Sequence, residues 1–180
     1  MSTFYKLSVK EIQQETKDSV SIVFDVPQDL QERFKFIPGQ YLTIKKVLND
    51  NEVRRAYSIC SSLQSNILKI AVKKVDNGLF SKYAVNDLAV GDVLEVSRPE
   101  GRFDLMPNSK HKKNYIAFAA GSGITPVLSM IKSVLETEKE SHFVLVYGNK
   151  SIEDVIFKQE IDALQSSYPT SFTVQYVFSQ

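Results

Sequence analysis

The chain changes its hydrophobic rhythm near its middle. Up to about residue 105, apolar positions recur at every second residue: Val20, Ile22, Phe24 and Val26, then Leu42 and Ile44, then Leu68, Ile70 and Val72, then Leu94 and Val96. A period of two places such side chains on one face of an extended segment. Pro38-Gly39, Asn49-Asp50-Asn51, Asn77-Gly78 and Gly91-Asp92 mark the turns between them. Five or six short antiparallel strands of this kind predict a small barrel or sandwich, because closure hides the strand edges.

From Asn114 the pattern differs. Residues 115–120, Tyr-Ile-Ala-Phe-Ala-Ala, form a nearly continuous apolar run, as expected of a strand covered on both faces. Gly121-Ser122-Gly123-Ile124-Thr125-Pro126 follows, and then Val127, Leu128, Ile131, Val134 and Leu135 recur at helical spacing. Thr125 is the expected N-cap, with Pro126 at the first helical position. A second buried strand over 143–148 leads to a helix capped by Ser151, with Asp154 three residues on. Its expected buried face is Ile156, Phe157, Ile161, Leu164 and Tyr168, and a third strand runs from Phe172 to Phe178.

Strand–helix–strand–helix–strand predicts an open parallel sheet. The expected fold class is therefore β + α/β: an antiparallel barrel domain over 1–107 and an α/β domain over 108–180, joined at the polar Pro107-Asn108-Ser109-Lys110. Three strands leave the last one with a raw edge, so the second domain is expected to be incomplete within this chain.

Composition narrows the functional classes. Hydrophobic residues make up 43% and charged residues 24%, as in ordinary globular proteins. The net charge of +1 gives no bulk attraction to nucleic acid, and the basic pairs are too short to track a phosphate backbone. No apolar run reaches membrane-spanning length and the first residues carry no signal core, so a cytoplasmic setting is expected. Cys60 alone excludes an internal disulfide framework or a multi-cysteine iron–sulfur site in this chain. His111 and His142 have no metal-ligand spacing.

Three constellations carry chemistry. In Arg55-Ala56-Tyr57-Ser58, residues two apart on a strand share a face, which offers a cation for a phosphate and an aromatic plane for a ring system. The plainer alternative is an edge-strand Arg beside a half-buried Tyr. In Asn77-Gly78-Leu79-Phe80-Ser81, Gly78 at positive φ would let successive amides converge on an anion, and Ser81 would cap a short helix. The alternative there is a simple Asn-Gly hairpin turn. Gly121-Ser122-Gly123-Ile124-Thr125-Pro126 has neither the ending of a triphosphate-binding loop nor the last glycine of a complete Gly-x-Gly-x-x-Gly fingerprint. It still sets amides and a hydroxyl at a helix start on the carboxyl edge of a parallel sheet, where ligands bind in open α/β folds. Three phosphate-binding signals in this order point to two nucleotides meeting at a domain junction.

Through these motifs the chain resembles the ferredoxin–NADP reductase superfamily over nearly all its length. Pro38-Gly39-Gln40-Tyr41-Leu42-Thr43, Arg54 to Cys60, Ala119 to Pro126 and Tyr147-Gly148-Asn149-Lys150 resemble, more narrowly, the reductase subunits of bacterial phenylacetyl-CoA epoxidases. The resemblance implies a Greek-key FAD-binding barrel followed by a nicotinamide-binding domain. It implies that Arg55 pairs with the flavin's phosphate, that Tyr57 stacks on the isoalloxazine, and that Ser58 lies near flavin N5, with Ala56 beside them. Gly78, Leu79, Phe80 and Ser81 would hold the FAD diphosphate, while the stretch of Val72, Lys73, Lys74 and Val75 would line its ribityl and adenine side. Thr125 would approach the ring from the second domain. Gly121, Ser122, Gly123 and Pro126 would shape the site for NADPH or NADH, and Asn149 and Lys150 would meet its adenosine side.

The family's chemistry is hydride transfer from the nicotinamide to FAD, then single-electron transfer to an iron–sulfur partner or oxygenase component. The epoxidase reductases carry a [2Fe–2S] cluster on a C-terminal domain absent from this chain. The 180 residues are thus expected to bind FAD and to be reduced slowly by NADPH. The rival readings are a regulatory flavin- or nucleotide-binding module of the same superfamily, and a structural barrel joined to an interaction domain.

Overall fold

The computed structural model describes residues 3–179; Met1, Ser2 and Gln180, which fall within the expected domain limits, lie outside the described residues. The first half forms a six-stranded antiparallel sheet of β1 (Phe4–Thr16), β2 (Ser19–Asp25), β3 (Tyr41–Leu48), β4 (Asn51–Ser58), β5 (Leu68–Lys73) and β6 (Val93–Ser97), in the order β4-β3-β6-β1-β2-β5. The alternating apolar positions all point inward: Ile22, Leu42, Ile44, Ile70, Val72, Leu94 and Val96 are at most 1% exposed.

The sheet curls until its outer strands meet just past β4. Ile59 bridges Ile70, and the Cys60 N–H donates to the Lys69 carbonyl at 2.9 Å. The seam closes at that end alone, so the edges at 55–58 and 71–75 diverge. Helix α1 (Leu79–Asn86) caps the barrel through Phe80 and Ala84.

In the second half β7 (Asn114–Ala120), β8 (His142–Asn149) and β9 (Phe172–Phe178) form a parallel sheet in that order. Helices α2 (Ile124–Thr137) and α3 (Lys158–Ser167) make the crossovers. Both connections join adjacent strands with the same hand, which puts both helices on one face. That face packs Phe143, Leu145 and Tyr147 against Leu128, Ile131 and Ile161. The run at 115–120 is therefore covered on one face, not two: Ile116 and Phe118 on the other side are 64% and 73% exposed.

Three expected element starts also move. Asn77-Gly78 makes no hairpin, and α1 begins directly after Gly78. A 3-10 turn over Gly121–Gly123 runs straight into α2, so Gly123 is the N-cap and Thr125 lies inside the helix. Ser151 heads only a 3-10 turn, Ile152–Asp154. Val155, Ile156 and Phe157 are then all buried in succession, which no single helix face can achieve, and Phe157 at φ 63° redirects the chain into α3.

Helix α2 is buried on nearly every side because it lies between the sheet and the barrel. Its barrel-facing side is polar. The Ser129 hydroxyl donates to the Ser61 carbonyl at 2.6 Å, and the Leu63 N–H donates to Ser133 Oγ at 2.9 Å. Lys132 and Lys69 share Glu160 at 2.7 and 3.9 Å, and Glu15 lies 3.7 Å from Lys69. Cys60 and Ala71, from the barrel, are buried in the second core, so the two halves pack as one body.

At Gly39, with φ +102°, a Cβ would sit 2.1 Å from the Phe103 carbonyl oxygen and 2.4 Å from Met130 Cε. Glycine is what lets the Pro38-Gly39 turn, the chain leaving the barrel and α2 converge.

The linker is fastened by Glu138 at the end of α2. Its buried carboxylate accepts from the Asn108 N–H at 2.9 Å, Ser141 Oγ at 2.7 Å and the Tyr115 hydroxyl at 3.0 Å, and lies 3.0 Å from His111 Nδ1. Among the described residues no helix is long and apolar enough to cross a membrane.

Candidate functional site

The divergence of β4 from β5 creates a cleft. Its volume is about 450 Å³, within the usual range for small-molecule sites. Arg55, Ala56, Tyr57 and Ser58 line it from the β4 edge; Ala71, Lys73, Lys74 and Val75 line it from β5 and the turn that follows. Gly78 and Ser81 close one end, and Ser122, Gly123, Thr125 and Pro126 arrive from the second half. The three motifs singled out in the sequence therefore meet in one place.

The register explains the wall. Leu42 opposes Tyr57 and Ile44 opposes Arg55, so both lie on the barrel-facing side of β4. Where the seam opens, that side emerges into solvent. Tyr57 stays half-buried against Phe80, with ring centroids 5.6 Å apart and planes tilted by 40°. Burial pushes the Tyr57 phenol up to about 12, against the opposing pull of the Arg55 charge. The ring therefore remains a neutral aromatic surface at working pH.

The charge is equally specific. Arg54 is paired with Glu52 at 2.8 Å, Lys45 with Glu95 at 2.9 Å and Lys74 with Asp18 at 2.9 Å. Among the described residues neither Arg55 nor Lys73 has an acidic partner; Arg55 donates only to its neighbour's carbonyl, the Arg54 oxygen, at 2.7 Å. Two uncompensated cations across one cleft favour an anionic ligand.

The third component is the start of α1. Gly78 has φ −86°, so it does not adopt the expected left-handed conformation. The requirement for glycine is spatial: a Cβ would fall 2.2 Å from Ser81 Oγ and 2.5 Å from Val75 Cγ2. Ser81 does not cap the helix as expected. Its hydroxyl donates to the Gly78 carbonyl and accepts from the Val75 N–H, both at 3.2 Å, which folds the 75–78 loop onto the helix. The first N–H groups of α1, at 79–81, have no helical acceptor behind them, and Gly78 and Ser81 at that helix start line the cleft.

Several expected site residues stand elsewhere. Val72 is wholly within the barrel core and Phe80 is 1% exposed beneath Tyr57, so neither side chain reaches the cleft. Phe80 backs the aromatic wall instead. Leu79 is exposed outside the lining. Gly121 precedes the lining at φ +50°. Asn149 is 8% exposed at the carboxyl end of β8, and its amide oxygen and nitrogen have no partner among the described residues. Lys150 is exposed next to it. Thr125 is buried, with its hydroxyl donating to the Ser122 carbonyl at 3.0 Å. Lys74, expected with Lys73 and Val75, does line the cleft, whereas sequence reasoning missed Ala71. Strand alternation places Ala71 beside Lys73 on one face, and its small size is the signal that a neighbour approaches closely there.

Comparison with known proteins gives a family for each part of the chain. The family model described as Oxidoreductase FAD-binding domain matches residues 6–105, and the one described as Oxidoreductase NAD-binding domain matches 118–180. The chain is 43% identical over 180 residues to one of the subunits of 1,2-phenylacetyl-CoA epoxidase from Escherichia coli K12, covering 100% of this chain and 51% of that protein. It is 41% identical over 171 residues to the ferredoxin reductase component of 3-ketosteroid-9-alpha-monooxygenase from Rhodococcus rhodochrous, covering 93% of this chain and 47% of the relative. The chain thus spans about half the length of the curated relatives it matches. A ferredoxin–NADP+ reductase from Plasmodium falciparum, solved with 2'P-AMP, superposes with a TM-score of 0.81 at 24% identity, covering 98% of this chain and 74% of that one. That likeness is one of fold.

Proposed function

We propose that this chain, which belongs to the ferredoxin–NADP reductase family of FAD- and NAD-binding oxidoreductases, binds FAD in the seam cleft and takes reducing equivalents from NADPH or NADH. The observation that carries this reading is the convergence, in one cleft, of an Arg55 without an acidic partner, a neutral Tyr57 ring and the start of α1 at Gly78 and Ser81. A flavin dinucleotide presents the complementary set: a diphosphate and a flat ring. Bound FAD would supply hydride acceptance and stepwise release of single electrons.

The chain's own residues supply placement. Arg55 and Lys73 neutralise the phosphates, and the 79–81 amides fix the diphosphate at the helix end. Tyr57, backed by Phe80, holds the ring plane, with Ser58 at its reacting edge. Ser122, Gly123, Thr125 and Pro126 wall the opposite side, where the nicotinamide has to come within about 3–3.5 Å of the flavin. Gly121, Asn149 and Lys150 belong to the nicotinamide dinucleotide's side. Because the domains share a core, this apposition needs no large closure. We assign the division between the two nucleotide-binding parts to the neighbourhood of residue 107.

The names of the relatives support an iron–sulfur electron acceptor serving an oxygenase, with phenylacetyl-CoA epoxidation the first system to test. A [2Fe–2S] cluster would belong to that acceptor or to a further domain of a longer protein, and the setting would be cytoplasmic. The experiment is a visible spectrum of the purified protein, mass spectrometry of the cofactor released on denaturation, and anaerobic addition of NADPH and NADH. FAD at one per chain, bleached slowly by either nucleotide, is the expected result. A protein that stays colourless after incubation with FAD contradicts the proposal.

A further inference from the structure

The turn that opens α2 is held from beneath by a side chain outside the three motifs. Tyr147, on β8, is fully buried, and its hydroxyl donates to the Gly121 carbonyl at 2.9 Å. A weaker approach, 3.5 Å, leads to the Ile156 carbonyl. The Ile124 N–H donates to the same Gly121 oxygen. Burial raises the Tyr147 phenol well above its ordinary value, so the hydroxyl keeps its proton and remains a donor.

A peptide group is planar and trans, so its C=O and N–H point in opposite directions. With the Gly121 oxygen turned toward Tyr147, the N–H of Ser122 points away from it, and Ser122 and Gly123 both line the cleft. As one of the first N–H groups of a helical run, it has no acceptor within the run. Gly121 has φ +50° with nothing within 4 Å of a would-be Cβ, so glycine is needed there for its backbone rotation and not for space. Such a peptide has a second orientation available, with its carbonyl toward the cleft. That orientation would replace a donor by an acceptor and repel an anion.

We propose that Tyr147 is a positioning residue for the nicotinamide dinucleotide: its buried hydroxyl holds the Gly121 carbonyl inward and so presents the Ser122 N–H to the dinucleotide's diphosphate. The assignment rests on the functional reading above. It gives Tyr147 no contact with the ligand, and it makes the Gly121–Gly123 turn a preset anion acceptor.

The test uses the FAD-loaded 180-residue protein and the Tyr147→Phe variant, which keeps the ring and loses the hydroxyl. NADP+ and NAD+ are titrated by calorimetry, with FAD affinity measured alongside. Nicotinamide dinucleotide binding is expected to weaken roughly tenfold in the variant, the effect of one lost hydrogen-bond donor. FAD affinity is expected to stay as it was, a split that mere loosening of the fold would not produce. Equal dinucleotide affinity in the two proteins overturns the proposal while leaving the functional reading in place. Wild-type protein that binds neither NADP+ nor NAD+ overturns the functional reading and the proposal with it. Should the variant fail to fold, the wild type decides alone: its Ser122 amide resonance is expected to shift as NADP+ saturates the protein, and a stationary resonance overturns the assignment.

Discussion

Replacing Arg55 by alanine is expected to weaken FAD binding tenfold to a hundredfold, the equivalent of about 1.5–3 kcal/mol for one charge-assisted contact. The size follows from what surrounds the guanidinium. Its neighbours Arg54 and Lys74 are already neutralised by Glu52 and Asp18, whereas Arg55 is not. Removing Arg54 therefore deletes a charge that its partner screens, and removing Arg55 deletes free charge facing the ligand. Arg55→Lys should fall between wild type and Arg55→Ala, because an ammonium keeps the charge and loses the forked pair of donors. Titration followed by the change in flavin fluorescence measures both variants. Unchanged affinity in Arg55→Ala would remove this residue from the phosphate role.

A second large effect is expected far from the cleft. Glu138→Ala should lower stability by about 3–5 kcal/mol, as when one partner of a buried charged network is deleted. The substitution strands the Asn108 N–H, the Ser141 and Tyr115 hydroxyls and the His111 ring without their common acceptor. Burial alone would raise the Glu138 carboxyl. The Asn108 N–H leads the donors that outweigh it, with Ser141, His111 and Tyr115 adding to it, and together they hold the carboxyl below its usual value. A carboxylate whose folded pKa is depressed contributes its full stability above the unfolded value, about 4.3 for glutamate, and loses it as pH falls through the folded value. The gap between wild type and Glu138→Gln in urea melts should therefore be wide at pH 7 and narrow progressively below about pH 4.3. A gap independent of pH would show that the carboxylate's ionisation contributes nothing.

The parts legible in the sequence are those set by local pattern. Alternation found β2, β3, β5 and β6 because each buries one face against a single barrel core. It did not reveal β1, whose run through Lys10, Glu11, Gln13 and Gln14 is interrupted by register shifts between Val9 and Glu11 and between Gln14 and Thr16. Each shift breaks the period of two.

The apolar run at 115–120 reads the same whether one face is covered or two, so Phe118 could not be foreseen as exposed. Arg55 and Tyr57 were legible as a pair because strand geometry fixes their common face. Phe80 was not separable from the diphosphate loop it adjoins, because only the packing of α1 turns it under Tyr57. Glu138 and Tyr147 were invisible for another reason. Their partners lie up to 30 residues away in the chain, and no spacing rule links an acceptor at the end of α2 to a linker amide at Asn108.

The central claim is that the seam between β4 and β5 is a flavin dinucleotide site. Backbone amide resonances followed while FAD is added to the flavin-free protein test this most directly. The expected result is saturation at one FAD per chain, with the largest shifts at 55–58, at 78–82 and at 122–126. Saturable binding that leaves 55–58 and 78–82 unmoved, or shifts gathered around Asp162, Gln165 and Pro169 on the far side of α3, would contradict it.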